Sequence, residues 1–276
     1  MAIYRDIYDI EKISKGPYDI WKINERLEAT MYLVCGSEKA CLIDTAYGLT
    51  DLKELTAELT GLPVSVINTH GHIDHVFGNR WFEHAMIHPA DQALYQEAVD
   101  GFEKLVSRDW VREAYGQYLR DLDLSTVHFP VADSIREGHV LDLGEKRLEV
   151  IEVPGHTAGS IMLVDRDEKL CFAGDAIIEH LWLFLKESLP PEICRDSMRH
   201  AVQILKEAGV ERIYHGHCAY SPLMIPDTDI MLWGMDRVCA GTACGQPFEN
   251  MLGNGAEYTF GRWSVLCRTG AEDPTK

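Results

Sequence analysis

The stretch Thr69-His70-Gly71-His72-Ile73-Asp74-His75 constrains this chain more than any other, because it packs three imidazoles and a carboxylate into six positions. It follows directly on a short β-branched run, Val64-Ser65-Val66-Ile67-Asn68, which reads as a strand. A lone histidine there would read as part of a surface loop or a polar turn. Several histidines together need a reason to stay deprotonated side by side, and a shared cation supplies one. In extended chain residues i and i+2 point the same way, so His70 and His72 can converge on one ion at Zn–N distances of about 2.0–2.1 Å. Once the chain turns, Asp74 and His75 can face a second ion beside it. Gly71 removes a side chain where the loop must bend tightly.

The strand leading into this motif has company on both sides. Tyr18 to Ile23, Met31 to Cys35 and Ala40 to Asp44 read as strands, the last two joined by a turn at Gly36-Ser37-Glu38-Lys39. Leu52, Leu55 and Leu59 recur at helical spacing between Leu49 and Leu59, and Gly61-Leu62-Pro63 ends that helix. Met162 to Asp175 echoes Met31 to Asp44: each is an apolar hairpin whose second strand ends in Asp, which suggests two similar halves. Between them, residues from about 89 to 122 read as two inserted helices able to cap a site, ahead of a strand region from about Asp133. Arg195 to Ala208 reads as a helix closed by Gly209, followed by a strand, Val210 to Tyr214, running into His215-Gly216-His217. The tail, about 227–268, is expected to hold one helix to about Val238 and a hairpin across Glu257 to Arg268. The whole chain, 1–276, is expected to be one domain.

Composition narrows the partners. The chain has 276 residues, 46% hydrophobic and 25% charged, enough apolar surface for one large core. Its formal net charge of -18 opposes nucleic acid and anionic lipid over most of the surface and favours solubility, while leaving room for a local basic pocket facing an anionic substrate. Met1-Ala2-Ile3-Tyr4-Arg5-Asp6 lacks the apolar core of a signal peptide, and no apolar run approaches the roughly 18 residues of a membrane span. A cytoplasmic protein with a small-molecule substrate, and neither nucleic acid nor membrane as partner, is expected; a homodimer is left open. The eight cysteines form no C-x-x-C pair and read as free thiols filling the core.

Three further fragments fall at the ends of expected strands. Val153-Pro154-Gly155-His156-Thr157-Ala158-Gly159-Ser160 offers His156, Phe172-Ala173-Gly174-Asp175 offers a carboxylate, and His215-Gly216-His217 offers another imidazole. Each alone is an ordinary turn. Together, in this order after H-x-H-x-D-H, they resemble the signature of the metallo-β-lactamase superfamily, with the match running from about Met31 to His217.

That resemblance implies an α/β fold, a four-layer αβ/βα sandwich with a helical insertion and the site at the edge between two sheets. It implies two metal ions, zinc first with iron or manganese as alternatives, one on His70, His72 and His156 and the other on Asp74, His75 and His217. Asp175 would bridge them. His217 is chosen over His215 because the family's ligand follows a glycine, and His215 is expected to orient a ligand by hydrogen bonding. The expected activity is hydrolysis of a small-molecule ester, lactone, thioester or amide by a metal-bridging hydroxide, with Asp74 helping to protonate the leaving group. Having His72 where oxygen-reducing di-iron members tend to have Glu favours hydrolysis. The glyoxalase-II-like branch resembles the core but carries a helical substrate domain after the last histidine; lactonase-like members resemble the insertion and tail better. The alternative is a mononuclear-iron sulfur dioxygenase acting on a persulfide. Ile178, His180 and Trp182, with Trp110, Tyr115 and Tyr118 of the insertion, are candidates for a substrate pocket, and Tyr220 for a hydrogen bond to substrate.

Overall fold

The computed structural model describes residues 6–26, 29–119, 123–218 and 220–268, without the side chains of Trp110, Ala114, Tyr115, Gln117 and Tyr118. Strands β1 (Tyr8–Lys12), β2 (Ile20–Glu25), β3 (Thr30–Cys35) and β4 (Ala40–Ile43) pair antiparallel in sequence order. Helix α1 (Leu52–Leu59) then returns the chain so that β5 (Val64–Ile67) lies parallel to β4. Asp51 starts α1 by accepting hydrogen bonds from the Lys53 and Glu54 amides at 2.8 and 3.2 Å, and Leu52 and Leu55 bury its inner face. A single helical turn, α2 (Ile73–Val76), follows β5. Strands β6 (Met86–Ile87) and β7 (Asp133–Ser134) complete a seven-stranded sheet, with α3 (Gln92–Val106) and α4 (Asp109–Leu119) inserted between them.

The second half repeats this winding. Strands β8 (Val140–Asp142), β9 (Arg147–Glu152), β10 (Ile161–Asp165) and β11 (Leu170–Phe172) pair antiparallel. The chain then runs through β12 (His180–Leu183) and α5 (Pro191–Glu207), so that β13 (Arg212–Tyr214) pairs parallel with β11, and β14 (Leu223–Met224) closes a six-stranded sheet. The expected echo is therefore one of topology: α1 returns the chain from β4 to β5 as α5 returns it toward β13.

Alternation along the strands creates the layers. Tyr32, Val34, Cys41 and Ile43 from the first sheet meet Ile161, Leu163, Leu170 and Phe172 from the second in one cluster. Their neighbours point the other way. Met31, Leu33, Ala40 and Leu42 pack under Leu52 and Leu55 of α1. Met162, Val164 and Cys171 pack under Met198 and Val202 of α5 and Met231 of α6 (Asp227–Cys239). Being covered on both faces, β3, β4, β10 and β11 are buried at every position, which is why they read as unbroken apolar runs. The result is the helix-sheet-sheet-helix sandwich expected from the sequence.

Two elements escaped the sequence. Strand β1 is a polar edge strand with Asp9, Glu11 and Lys12 turned outward, so it lacks the apolar repeat that marks the interior strands. The tail is more than a hairpin: β15 (Gln246–Asn250), β16 (Gly253–Phe260) and β17 (Trp263–Cys267) recruit β12 alongside β17 into a separate four-stranded sheet. Its edge, Gln-Pro-Phe-Glu-Asn, is mostly exposed and carries no strand alternation. Among the described residues no helix is long and apolar enough to cross a membrane.

Candidate metal centre

Strand ends deliver the chemistry. Beyond β5 the chain bends at Thr69 and His70 and is extended at His72 (φ -72°, ψ 153°) before turning into α2, which presents His70 and His72 together and Asp74 and His75 a turn later. His156 comes from the loop between β9 and β10, Asp175 from the end of β11, and His217 from the loop after β13. The seven residues meet as three overlapping donor sets: His70, His72 and His156; His70, His75 and Asp175; Asp74, His75 and His217.

Hydrogen-bond partners fix which ring nitrogen of each histidine faces inward. Thr69 Oγ1 gives its only hydrogen to Asp44 Oδ2 at 2.8 Å, so at 3.1 Å from His70 Nδ1 it can only accept. His72 Nε2 donates to Glu187 Oε1 at 2.6 Å, and His156 Nδ1 donates to the Trp182 carbonyl at 2.8 Å. The nitrogens left over are His70 Nε2, His72 Nδ1 and His156 Nε2, all lone pairs. They nevertheless face one another, with His72 Nδ1 3.0 Å from His70 Nε2 and 2.9 Å from His156 Nε2. Three acceptors with no hydrogen between them repel unless a cation stands among them, so this set fits a metal ion.

The second set gives the same answer by a different route. His75 Nδ1 is held by Asp44 Oδ2 at 2.9 Å, while its Nε2 is buried without a hydrogen-bond partner, as is Asp175 Oδ1, 3.6 Å away. Asp74 Oδ2 lies 3.8 Å from His75 Nε2 and 3.5 Å from His217 Nε2. Asp175 Oδ2 stands 3.2 Å from His217 Nε2 and 3.7 Å from His156 Nε2, so this one carboxylate spans both sets.

Electrostatics agrees with the geometry. Burial pushes His70 well below its ordinary value and His156 down to about 4, with neighbouring imidazoles adding to the shift, which keeps both rings neutral and able to ligate. Burial would raise the carboxyl pKa of Asp74 and Asp175, yet the histidines around them, His75 and His217 foremost, hold both below the usual range. His75 goes up, to about 9: burial opposes its charge, but Asp44, Asp74 and Asp175 surround it. A dication held beside those carboxylates would replace that positive charge and leave His75 Nε2 free to ligate.

Close packing keeps the set together. A Cβ on Gly216 would lie 2.4 Å from Asp175 Oδ1 and 2.5 Å from His75 Cε1, so only glycine lets the His217 loop approach the centre. Gly71 answers to a close approach as well as to a bend, since a Cβ there would press on the Asp91 carbonyl and on Leu94 at 3.1 Å.

The family model of the metallo-beta-lactamase superfamily matches residues 25–217. The chain belongs to the metallo-beta-lactamase superfamily. Among its relatives is "Acyl-coenzyme A thioesterase MBLAC2" of Gallus gallus, 30% identical over 206 residues that cover 68% of this chain and 72% of the relative. The Homo sapiens protein of the same name is 27% identical over 211 residues, with the same coverage of both chains. Solved structures share the fold: DIM-1 metallo-beta-lactamase superposes with a TM-score of 0.57 at 15% identity, covering 82% of this chain and 97% of the other. TTHA1623 in a di-iron-bound form superposes with a TM-score of 0.52 at 23% identity, covering 78% and 95%.

This metallo-beta-lactamase superfamily hydrolase surrounds its donor sets with residues whose roles were invisible in the sequence. Asp44 binds His75 and the Thr69 amide at once, and Glu187 holds His72. Asp91, 1% exposed, accepts from the Gly71 amide at 2.9 Å, the Gly159 amide at 2.6 Å and Thr157 Oγ1 at 2.7 Å, tying the His70–His75 loop to the His156 loop. His215 stays out of the donor sets: its Nε2 meets Glu179 Oε2 at 2.8 Å, and its Nδ1 accepts from the His217 amide at 3.3 Å.

A cavity of about 790 Å³ opens on the centre. Ile178, His180 and Trp182 line it, together with Phe77, Leu94 and Leu185. Tyr220 is not among the lining residues: it is 91% exposed, and its carbonyl accepts from Lys22 Nζ at 3.2 Å. The side chains of Trp110, Tyr115 and Tyr118 lie outside the described residues.

Proposed function

We propose that the protein is a binuclear metal-dependent hydrolase of acyl thioesters, with zinc as the first candidate metal. The observation that carries this reading is the convergence of imidazole and carboxylate donor atoms as two sets around one shared carboxylate, Asp175. His70, His72 and His156 would hold one ion, Asp74, His75 and His217 the other, and Asp175 would contact both. A mononuclear iron dioxygenase would leave the second set without a purpose.

Bound dications at such a site lower the pKa of water to about 7 and polarise a carbonyl. The protein's own groups do the rest. Asp74, which lines the cavity, would take a proton from the attacking water and return it to the departing group. A thiolate leaves with a conjugate-acid pKa near that of cysteine, about 8.5, so it asks less of a proton donor than an alkoxide or amine does. The apolar wall formed by Phe77, Leu94, Ile178, Trp182 and Leu185 excludes water and accommodates an acyl chain. The relation to proteins named acyl-coenzyme A thioesterases supports thioesters over lactones and amides.

Metal analysis of the purified protein, paired with thiol-release assays on acyl-coenzyme A esters, lactones and aryl esters, tests this reading. Two metal equivalents per chain and preferred turnover of thioesters are expected. One iron per chain with oxygen uptake on a persulfide would overturn it.

A further inference from the structure

Helix α3 forms one wall of the cavity, and its contribution is a stripe at helical spacing: Leu94, Ala98, Gly101, Lys104, Leu105 and, just past its end, Arg108. The stripe has direction. Leu94, at its start, packs against Gly71 within the His70–His75 loop, and Asp91 just before α3 binds the Gly71 amide. Ten residues at 1.5 Å each carry the helix roughly 15 Å further before Lys104 is reached. The cavity wall is thus apolar beside the metal centre and cationic at its far end.

Glu97, on the same stripe, is taken by Lys186 from the facing wall. Lys104 and Arg108 have no carboxylate partner among the described residues, and both are exposed. The other two acidic residues of the same helix, Asp100 and Glu103, line a separate groove. In a chain of net charge -18, two unpaired cations on a cavity wall stand out from their surroundings. A cation in the last turn, such as Lys104, also favours the helix dipole, but that role does not require it to face the cavity.

We propose that Lys104 and Arg108 form an anion subsite that binds the phosphate-bearing end of the thioester's leaving group, an inference that rests on the thioesterase reading above. In an acyl-coenzyme A ester about thirteen bonds separate the thioester sulfur from the first phosphorus, roughly 16 Å when extended at backbone-like bond lengths. With the carbonyl at the metal centre and the pantetheine arm laid along α3, the phosphates arrive at Lys104 and Arg108. The guanidinium offers paired donors to phosphate oxygens, and the ammonium adds a point charge. The subsite raises affinity for the substrate and takes no part in bond breaking.

The test compares an acyl-coenzyme A ester with the same acyl group on pantetheine, which lacks the phosphates, using metal-loaded protein. The wild type is expected to favour the coenzyme A ester at least tenfold in kcat/KM, through KM, with the preference shrinking as salt rises. In Lys104→Glu/Arg108→Glu the preference is expected to collapse toward unity. Calorimetry with 3′-phosphoadenosine 5′-diphosphate provides a readout free of turnover, with binding in the wild type and a loss of at least tenfold in the double variant. Equal turnover of both esters by the wild type, or an undiminished preference in the variant, overturns the subsite and leaves the hydrolase reading standing. Turnover of neither ester overturns the thioesterase reading, and the calorimetry then decides the subsite by itself.

Discussion

Glu187 Oε1 lies 2.6 Å from His72 Nε2, on the side of the ring opposite the nitrogen that faces His70 and His156. The carboxylate therefore sets the tautomer that leaves Nδ1 free, and it adds electron density to the ring. Glu187→Ala is expected to weaken metal binding about 10–100-fold, read by competition with a chromophoric chelator. Glu187→Gln keeps an acceptor for the same N–H and should recover part of that loss. Equal losses in the two variants would mean that Glu187 acts by charge alone.

Asp91 joins two loops by accepting three hydrogen bonds while almost wholly buried. In Asp91→Asn one oxygen becomes an NH₂ group that must face donors. The change is expected to cost about 1–3 kcal/mol in urea unfolding and to lower metal affinity with it. A variant of wild-type stability with intact metal content would show that the loops hold their places without this tie.

Asp175 touches both donor sets, so Asp175→Ala should do more than remove one ligand. Turnover is expected to vanish and metal content to fall below two equivalents per chain, measured by elemental analysis. Full activity in this variant would remove the bridging assignment.

Glu25 gives the fold a pH dependence of its own, away from the metal centre. Burial raises it from 4.5 to about 7, although the Leu49 and Tyr47 amides, each 3.0 Å away, favour its charged form. A carboxyl group whose folded pKa lies above its unfolded one stabilises fully below the unfolded value and loses that contribution as pH rises through the folded value. From pH 4.5 to beyond 7, wild-type stability should therefore fall relative to Glu25→Gln by about 3 kcal/mol, measured by urea unfolding at matched metal content. A difference that stays flat across this window would place the titration of Glu25 elsewhere.

The seven residues that converge here could be read from the sequence because each belongs to a short motif at a strand end, and the strands are marked by apolar runs covered on both faces. The residues that hold the donors could not. Asp44 reaches His75 across 31 positions and Glu187 reaches His72 across 115, distances over which only the folded chain pairs side chains. Asp44 did stand out as the counterpart of Asp175, yet the copies diverged: one carboxylate faces the donor atoms and the other grips a ring from behind. Strand β1 and the small third sheet lacked apolar alternation because their edges are polar and exposed. Tyr220 was a candidate only by closeness in sequence to His217, which does not by itself bring a side chain to the cavity.

The donor atoms come from loops at the ends of the two large sheets, whereas the cavity wall bearing Lys104 comes from a helix spliced between β6 and β7. The far wall of the cavity and the donor atoms are consequently drawn from separate stretches of chain. Replacing the part of the insertion beyond Leu94, with Asp91 and Leu94 kept to hold the His70–His75 loop, would alter the far wall of the cavity and leave the donor loops their supports.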